Sequence, residues 1–330
     1  MRIFVALTLL FSSALWGENS ITWEKDFGKG VEASVREKKP LLLFFTGSDC
    51  SGWGMKLKNE ILSSADFVEK TKGKFVFVEI DFPEHKAVDP LLASQNQALK
   101  EKWRVTEIPR LILVDAEGIE IARFGSTCSG GKEFGEDLLT VLEKDQNLKT
   151  SLKQLSSCSP ERLEELYKLA RELERETEVA LILNAGVSKE VSFFLLEKYR
   201  LLAESGKSQE NESLNLREKL LKSDPANQKK IPFSIALIDF QRLSNEKLLN
   251  PFIAIRPLEE YLQHFGRCDL ENKWRLEMMI AQFYVDCDEW KTALIHAQAA
   301  FESAPETRKE EIARSLEYIR GETAIADSND

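Results

Sequence analysis

The sequence predicts a mixed α/β sandwich over residues 20–148, followed by an all-α domain over residues 149–330. Two patterns carry this reading. In the first half, short apolar runs bounded by Gly and Pro alternate with stretches of helical periodicity and end in a hairpin. After about residue 150 the strand signals stop and only helical periodicity continues. Composition agrees: 43% hydrophobic and 30% charged residues suffice for large cores, and 330 residues at roughly 150 per domain give two domains.

Residues 1–17 read as a secretory signal. Arg2 supplies a positive start, Ile3–Phe11 is apolar apart from Thr8, and Ser12-Ser13-Ala14 or Gly17 offers a cleavage site. A buried strand or an anchor helix is the competing reading, but the run is too short to span a bilayer comfortably. No later segment is a continuous apolar span, so a soluble, exported or periplasmic mature chain is expected.

Phe27–Lys38 has a helical pattern that stops at Lys38-Lys39-Pro40, and Leu41–Thr46 is an unbroken apolar run suited to a central strand. Met55–Glu69 is helical in composition, Phe75–Asp81 reads as a second buried strand, and Gln95–Lys102 as a short helix. Leu111–Val114 and Ile119–Phe124 flank the turn Asp115-Ala116-Glu117-Gly118 as a hairpin. Lys132–Lys144 closes the unit as a helix after Ser129-Gly130-Gly131. Beyond it, Ser159-Pro160-Glu161 is a helix start. Leu163, Leu166, Tyr167, Ala170 and Leu173 follow at helical spacing, with a Glu- and Arg-rich solvated face running to Glu178. Further helices are expected at 191–204, 212–222, 235–243, 257–265 and 273–286.

The net charge is -10, from 45 Lys and Arg against 55 Asp and Glu, and no basic patch interrupts the mixture. That balance argues against a nucleic-acid partner. The five cysteines (Cys50, Cys128, Cys158, Cys268, Cys287) are too few for a disulfide scaffold and match no zinc spacing, and the three histidines are isolated from them. No metal or other cofactor is expected. No phosphate loop or nucleophile elbow points to another reaction class.

Two resemblances follow from particular residues. Ile280, Ala281, Tyr284, Trp290, Ala293, Ala300 and Pro305 resemble one tetratricopeptide repeat, a helical hairpin, although Ala297 stands where an aromatic is usual. An ordinary helical bundle with coincidental alanines is the alternative. Residues 20–145 resemble the thioredoxin superfamily, close to its exported thiol-disulfide reductases and predicted disulfide-bond isomerases. The stretch Lys39-Pro40 through Gly47-Ser48-Asp49 matches the first central strand and the loop after it. Val105–Arg110 matches the segment with the cis-proline at Pro109, and Gly125 falls beside the substrate groove.

The active-site motif departs from that family. Relatives read Gly-Ser-Asp-Trp-Cys-x-x-Cys; here the chain reads Gly47-Ser48-Asp49-Cys50-Ser51-Gly52-Trp53-Gly54. Without a gap, Cys50 takes the tryptophan position, Ser51 the nucleophile and Gly54 the resolving cysteine. A shift by one makes Cys50 the nucleophile, but breaks the match at Met55-Lys56-Leu57 and leaves Trp53 where a second sulfur is needed. Dithiol exchange needs an attacking thiolate and a second thiol to resolve the mixed disulfide. The resemblance also places Phe45 where active relatives often carry a buried acid. Ordinary two-cysteine exchange within the motif is therefore excluded.

Two functions remain. The first is binding of exported or envelope proteins and peptides through the helical domain and a groove formed by Ser51, Trp53, Ile108, Pro109 and Gly125. The second is thiol-disulfide exchange or isomerisation through Cys50 near a helix N-terminus, with Cys128 as a partner. If Cys128 has no such role, it reads with Cys158, Cys268 and Cys287 as a buried small residue.

Overall fold

The computed structural model describes residues 20–125, 130–246 and 250–329. The predicted signal at 1–17 and Cys128 lie outside the described residues. The chain forms two compact units: residues up to Gln154 together with Lys168–Glu176, and Leu155–Tyr167 together with residues from Thr177 onward.

The first unit is built on strands β1 (Trp23–Glu24), β2 (Leu41–Thr46), β3 (Val76–Asp81), β4 (Arg110–Val114) and β5 (Glu120–Phe124), in the order β1-β3-β2-β4-β5. β3 pairs parallel with β1 and β2, while β2 and β5 pair antiparallel with β4. All six residues of β2 are buried, which is why its sequence is apolar without alternation. Side chains of successive residues leave opposite faces. Leu42 and Phe44 join Phe67, Phe77, Leu111 and Phe134 in one core, and Leu41, Leu43 and Phe45 join Val78, Ile80, Trp103 and Ile112 in the other. Trp23 packs its ring against Phe44 and Phe77, at centroid distances of 5.7 and 5.2 Å. β1 itself is two residues long, too short for any periodic signal.

Helix α1 (Phe27–Glu37) starts where the Asp26 carboxylate accepts from the Lys29 N–H at 3.1 Å. The single helix expected at 55–69 is in fact three pieces: α2 (Gly52–Lys56), a π turn (Leu57–Leu62) and α3 (Ala65–Thr71). The break falls at Ser63-Ser64, where Ser64 Oγ accepts from the Phe67 N–H and restarts the helix. Helix α4 (Pro90–Lys102) begins five residues before the expected Gln95, because Asp89 caps the Leu91 N–H at 2.7 Å and Pro90 fits the first turn. The hairpin turn is held by Asp115 Oδ1, which accepts from Glu117 and Ile119, with Gly118 at a φ of 80°. Helix α5 (Gly131–Leu152) continues two turns past the expected Lys144. Those turns bury Leu148 and seat Asp145 between Lys149 and Arg175.

The remaining helices are α6 (Pro160–Glu172), α7 (Glu176–Ser188), α8 (Ser192–Glu204), α9 (Asn211–Ser223), α10 (Ile231–Asn245), α11 (Arg256–Phe265), α12 (Leu270–Asp286), α13 (Trp290–Ser303) and α14 (Glu306–Asn329). The charged run expected to continue to Glu178 is interrupted: α6 stops at Glu172, Glu174 takes a left-handed φ of 54°, and a new helix begins at Glu176. In the second unit, α12 and α13 pack as a hairpin with Ala281, Ala293, Ala297 and Ala300 fully buried. Small side chains are what let the two backbones approach. Alanine at 297 thus fills a tight interhelical position that an aromatic would overfill.

A buried polar network ties α10, α11 and α12 together. The Asp269 carboxylate accepts from Lys230 at 2.8 Å, from Asn272 at 2.9 Å and from the Tyr261 hydroxyl. Burial opposes its charge, but these three donors win and hold its pKa down at about 2. A carboxylate depressed in the folded state stabilises above its unfolded pKa, and that contribution is lost as pH falls through the folded value. The urea midpoint of the protein is therefore expected to fall between about pH 4 and pH 2. Asp269→Asn should flatten that part of the profile, as followed by circular dichroism.

Candidate functional site

β2 ends at Thr46, and the chain turns through Gly47–Ser51 into α2. The turn is fixed from both sides. Ser48 donates from its backbone N–H and its hydroxyl to the two oxygens of Asp81, at 2.8 and 2.7 Å. Asp49 accepts from the backbone N–H groups of Glu84 and His85 at 2.8 and 2.9 Å. Desolvation disfavours the Asp49 anion, but those backbone donors override it and hold its pKa below the ordinary carboxyl range.

Ser51 is the N-cap of α2. Its Oγ accepts from the Gly54 N–H at 3.0 Å, so a hydroxyl occupies the place where the helix N–H groups converge. Gly54 is buried, and a Cβ added there would run into Thr46 Oγ1 and lie 3.0 Å from Ser51 Oγ. Any side chain at this position would have to displace Thr46 Oγ1.

Cys50 precedes the cap. Its thiol is exposed and donates to the Phe82 carbonyl at 3.6 Å. Desolvation, followed by the carboxylates of Glu84 and Asp49, raises the thiol above its ordinary pKa. The thiolate is thus disfavoured rather than activated.

The peptide bond between Ile108 and Pro109 is cis. A Cβ built on Gly47 would meet Cys50 Sγ on one side, with Ile108 Cδ1 and the Phe82 carbonyl oxygen each 3.3 Å away. Cys50 and the segment before Pro109 therefore share one small neighbourhood. Ile108 is half-buried and Pro109 buried. Trp53 stands 65% exposed and Met55 42% exposed, and Lys56 Nζ lies 5.3 Å from the Trp53 ring centroid. Gly125 is half-buried at the end of β5, and a Cβ there would come 3.7 Å from an Arg110 guanidinium nitrogen.

Phe45 is fully buried against Trp103. Sequence reasoning did not single out a second feature. Glu79, 6% exposed on β3, pairs with Lys58 from the π turn. The signal was present: Glu79 and Asp81 alternate with Val78 and Ile80 in an otherwise apolar strand, which puts both acids on one face. Among the described residues there is no group of three or more His, Cys, Asp or Glu side chains that could hold a metal ion, and no helix is long and apolar enough to cross a membrane. The alternative of buried cysteines fails for three of them: Cys268 is exposed, and Cys158 and Cys287 are half-buried at helix ends.

A family model for a thioredoxin-like domain matches residues 29–135. The thioredoxin-related protein DsbJ of Chlamydia pneumoniae is 40% identical over 332 residues, covering 97% of this chain and 95% of the relative. The chain belongs to the thioredoxin-like family. The disulfide bond reductase DsbH of Chlamydia pneumoniae is 34% identical over 124 residues, covering 38% of this chain and 74% of that protein. A solved DsbH oxidoreductase structure aligns at a TM-score of 0.36 with 31% identity, covering 43% of this chain and 95% of that one.

Within this thioredoxin-like frame, the filled space at Gly54 has a measurable consequence. Gly54→Cys should destabilise the protein by about 1–3 kcal/mol through overpacking. Thr46→Ala in the same background should recover part of that loss, because it removes the atom in the way. Urea unfolding of the two single variants and the double variant gives the coupling directly.

Proposed function

We propose that this chain is an exported thioredoxin-like protein that holds extended segments of envelope or secreted polypeptides and carries out no dithiol exchange. The observation that carries the reading is the serine at the cap of α2. A hydroxyl bonded to the Gly54 N–H stands where a reactive thiolate would have to sit, and no second sulfur has room behind it. The exposed Trp53 and the cis Ile108–Pro109 segment supply what a bound peptide needs: apolar contact and backbone available for strand-like pairing. In this reading the α12–α13 hairpin, of tetratricopeptide type, belongs to the binding apparatus, as stacked helical hairpins use their faces for peptides and proteins.

A second reading has its own observation. Cys50 is exposed beside Ile108, so an oxidised substrate lying there would meet a thiol, and a single-cysteine reductase or isomerase needs that contact. The DsbH relative is a disulfide bond reductase, which keeps this alternative concrete. Against it stands the raised pKa of Cys50, since the thiolate is the nucleophile.

Differential alkylation with peptide mass spectrometry across a glutathione series separates the two. The binding reading expects the alkylation rate of Cys50 to keep rising past the ordinary thiol range, with no defined potential and no Cys50–Cys128 disulfide. A plateau near neutral pH, or a titrating disulfide, would establish the enzyme reading instead. Partner capture gives a further check. Cys50→Ser should leave the captured set unchanged, whereas Trp53→Ala should weaken binding about tenfold, as loss of an exposed aromatic anchor does.

A further inference from the structure

Three rings from separate elements of the second unit form a ladder that reaches the surface. In the short helical turn Pro251–Ile255, Phe252 and Ile253 are 36% and 45% exposed. The Phe252 ring stacks with Tyr284 of α12 at a centroid distance of 5.6 Å, and Tyr284 stacks with His296 of α13 at 5.7 Å. His296 is held in place by Glu277, whose carboxylate lies 2.8 Å from its Nδ1. Rings fixed in advance give a partner apolar contact at little cost in ordering.

Three oxygen-bearing groups beside this ladder have no partner. The side chains of Glu259 and Glu289 and the Tyr284 hydroxyl make no ion pair or hydrogen bond among the described residues. Glu289 immediately precedes α13, and its N–H donates to the Tyr284 carbonyl at 2.9 Å. Glu259 lies on α11, whose Leu258 and Leu262 share a core with Tyr284. Desolvation, and then the carboxylates of Glu259 and Glu289, push up the Tyr284 pKa, so both charges act on this hydroxyl. The cations nearest in the chain are already in use: Arg256 bonds Glu260 at 2.8 Å, and Lys291 is engaged as well. The face therefore carries negative charge that the described residues do not neutralise.

We propose that this face binds an arginine side chain of a partner polypeptide. The guanidinium lies between the carboxylates of Glu259 and Glu289 and donates to the Tyr284 hydroxyl. A neighbouring apolar side chain of the same segment rests on Phe252 and Ile253. Arginine suits the face better than lysine, because a planar fork of several donors reaches more than one oxygen and lies against aromatic rings, whereas an ammonium is more strongly hydrated. The apolar contact separates such a site from the general pull that a net charge of -10 exerts on any cation. The inference deepens, and rests on, the binding role given above to the α12–α13 hairpin, but it does not depend on the Ser51 groove.

Fluorescence anisotropy of the full mature chain tests it, at about 0.15 M salt so that long-range attraction is screened. The probe is a labelled, end-blocked heptapeptide with one Arg between two Leu and otherwise Gly and Ser. Three controls carry citrulline for Arg, Lys for Arg, or Ser for both Leu. Saturable binding is expected for the probe, and each control should bind more weakly. Glu259 and Glu289 are exposed, so Glu259→Gln with Glu289→Gln should leave the circular dichroism spectrum unchanged. The double variant should raise the Kd of the probe about fivefold, as expected for two partly exposed charge pairs. Ile253→Ser should also weaken it, whereas Trp53→Ala should not. Equal binding of any control overturns the assignment, as does indifference to the double variant or to Ile253→Ser. A loss in Trp53→Ala would place the probe in the Ser51 groove and overturn it too, and so would the absence of saturable binding at millimolar protein.

Discussion

The complete burial of Leu41–Thr46 between two layers of side chains constrains everything that follows it in the first unit. Alternate residues of this strand enter opposite cores, so its register cannot slip by one without exchanging both sets. Its end point is therefore fixed, and with it the position of Thr46 Oγ1 and of the turn at Gly47. The loop then inherits a defined place beneath the Ile108–Pro109 segment, secured by the carboxylates of Asp81 and Asp49 on backbone N–H groups. The rigidity of the site is a property of the sheet more than of the loop.

On that frame, the group at the start of α2 is a hydroxyl. A helix N-terminus favours negative charge and is how the fold stabilises a thiolate. Here the group nearest the helix N–H groups is the Ser51 hydroxyl, neutral at any physiological pH, and it is used as a cap. The sulfur that remains is one residue earlier, turned toward a carbonyl oxygen and surrounded by carboxylates. Desolvation first, and then the carboxylates of Glu84 and Asp49, disfavour its anion. Thr46 Oγ1 occupies the volume that a Cβ at Gly54 would enter. The apolar rim and the cis peptide are independent of sulfur and persist beside it.

The second unit solves a different problem, that of packing many helices with charged termini. It does so with buried polar groups whose partners come from other elements. Asp224 accepts from the N–H groups of Gln228, Lys229 and Ile231, and Asp239 from Tyr199 and Arg217. Asp269 collects Lys230, Tyr261 and Asn272. Each network favours one arrangement of the surrounding helices, because a displaced partner would leave a buried charge alone.

Much of this was legible in the amino-acid order. The apolar run 41–46, the hairpin at Asp115–Gly118 and the loss of strand signals near residue 150 each follow from short-range rules, and so does the substitution of Ser51 and Gly54 in a recognisable motif. Boundaries were less legible where a cap outranked periodicity, as at Ser64 and Asp89, or where helix length came from tertiary contact, as in α5. Three features were decided by the tertiary structure alone. The Cys50 thiol is held above its ordinary pKa by desolvation and by the carboxylates of Glu84 and Asp49, and Glu84 is distant in sequence. Gly54 has no room for a side chain in the present arrangement because Thr46 Oγ1 lies where its Cβ would stand. Lys58 pairs with the buried Glu79 because a π turn and a strand bring them together. Local sequence specifies which residues stand in the motif; the field and the free volume around them are summed over distant segments, and only the folded chain performs that sum.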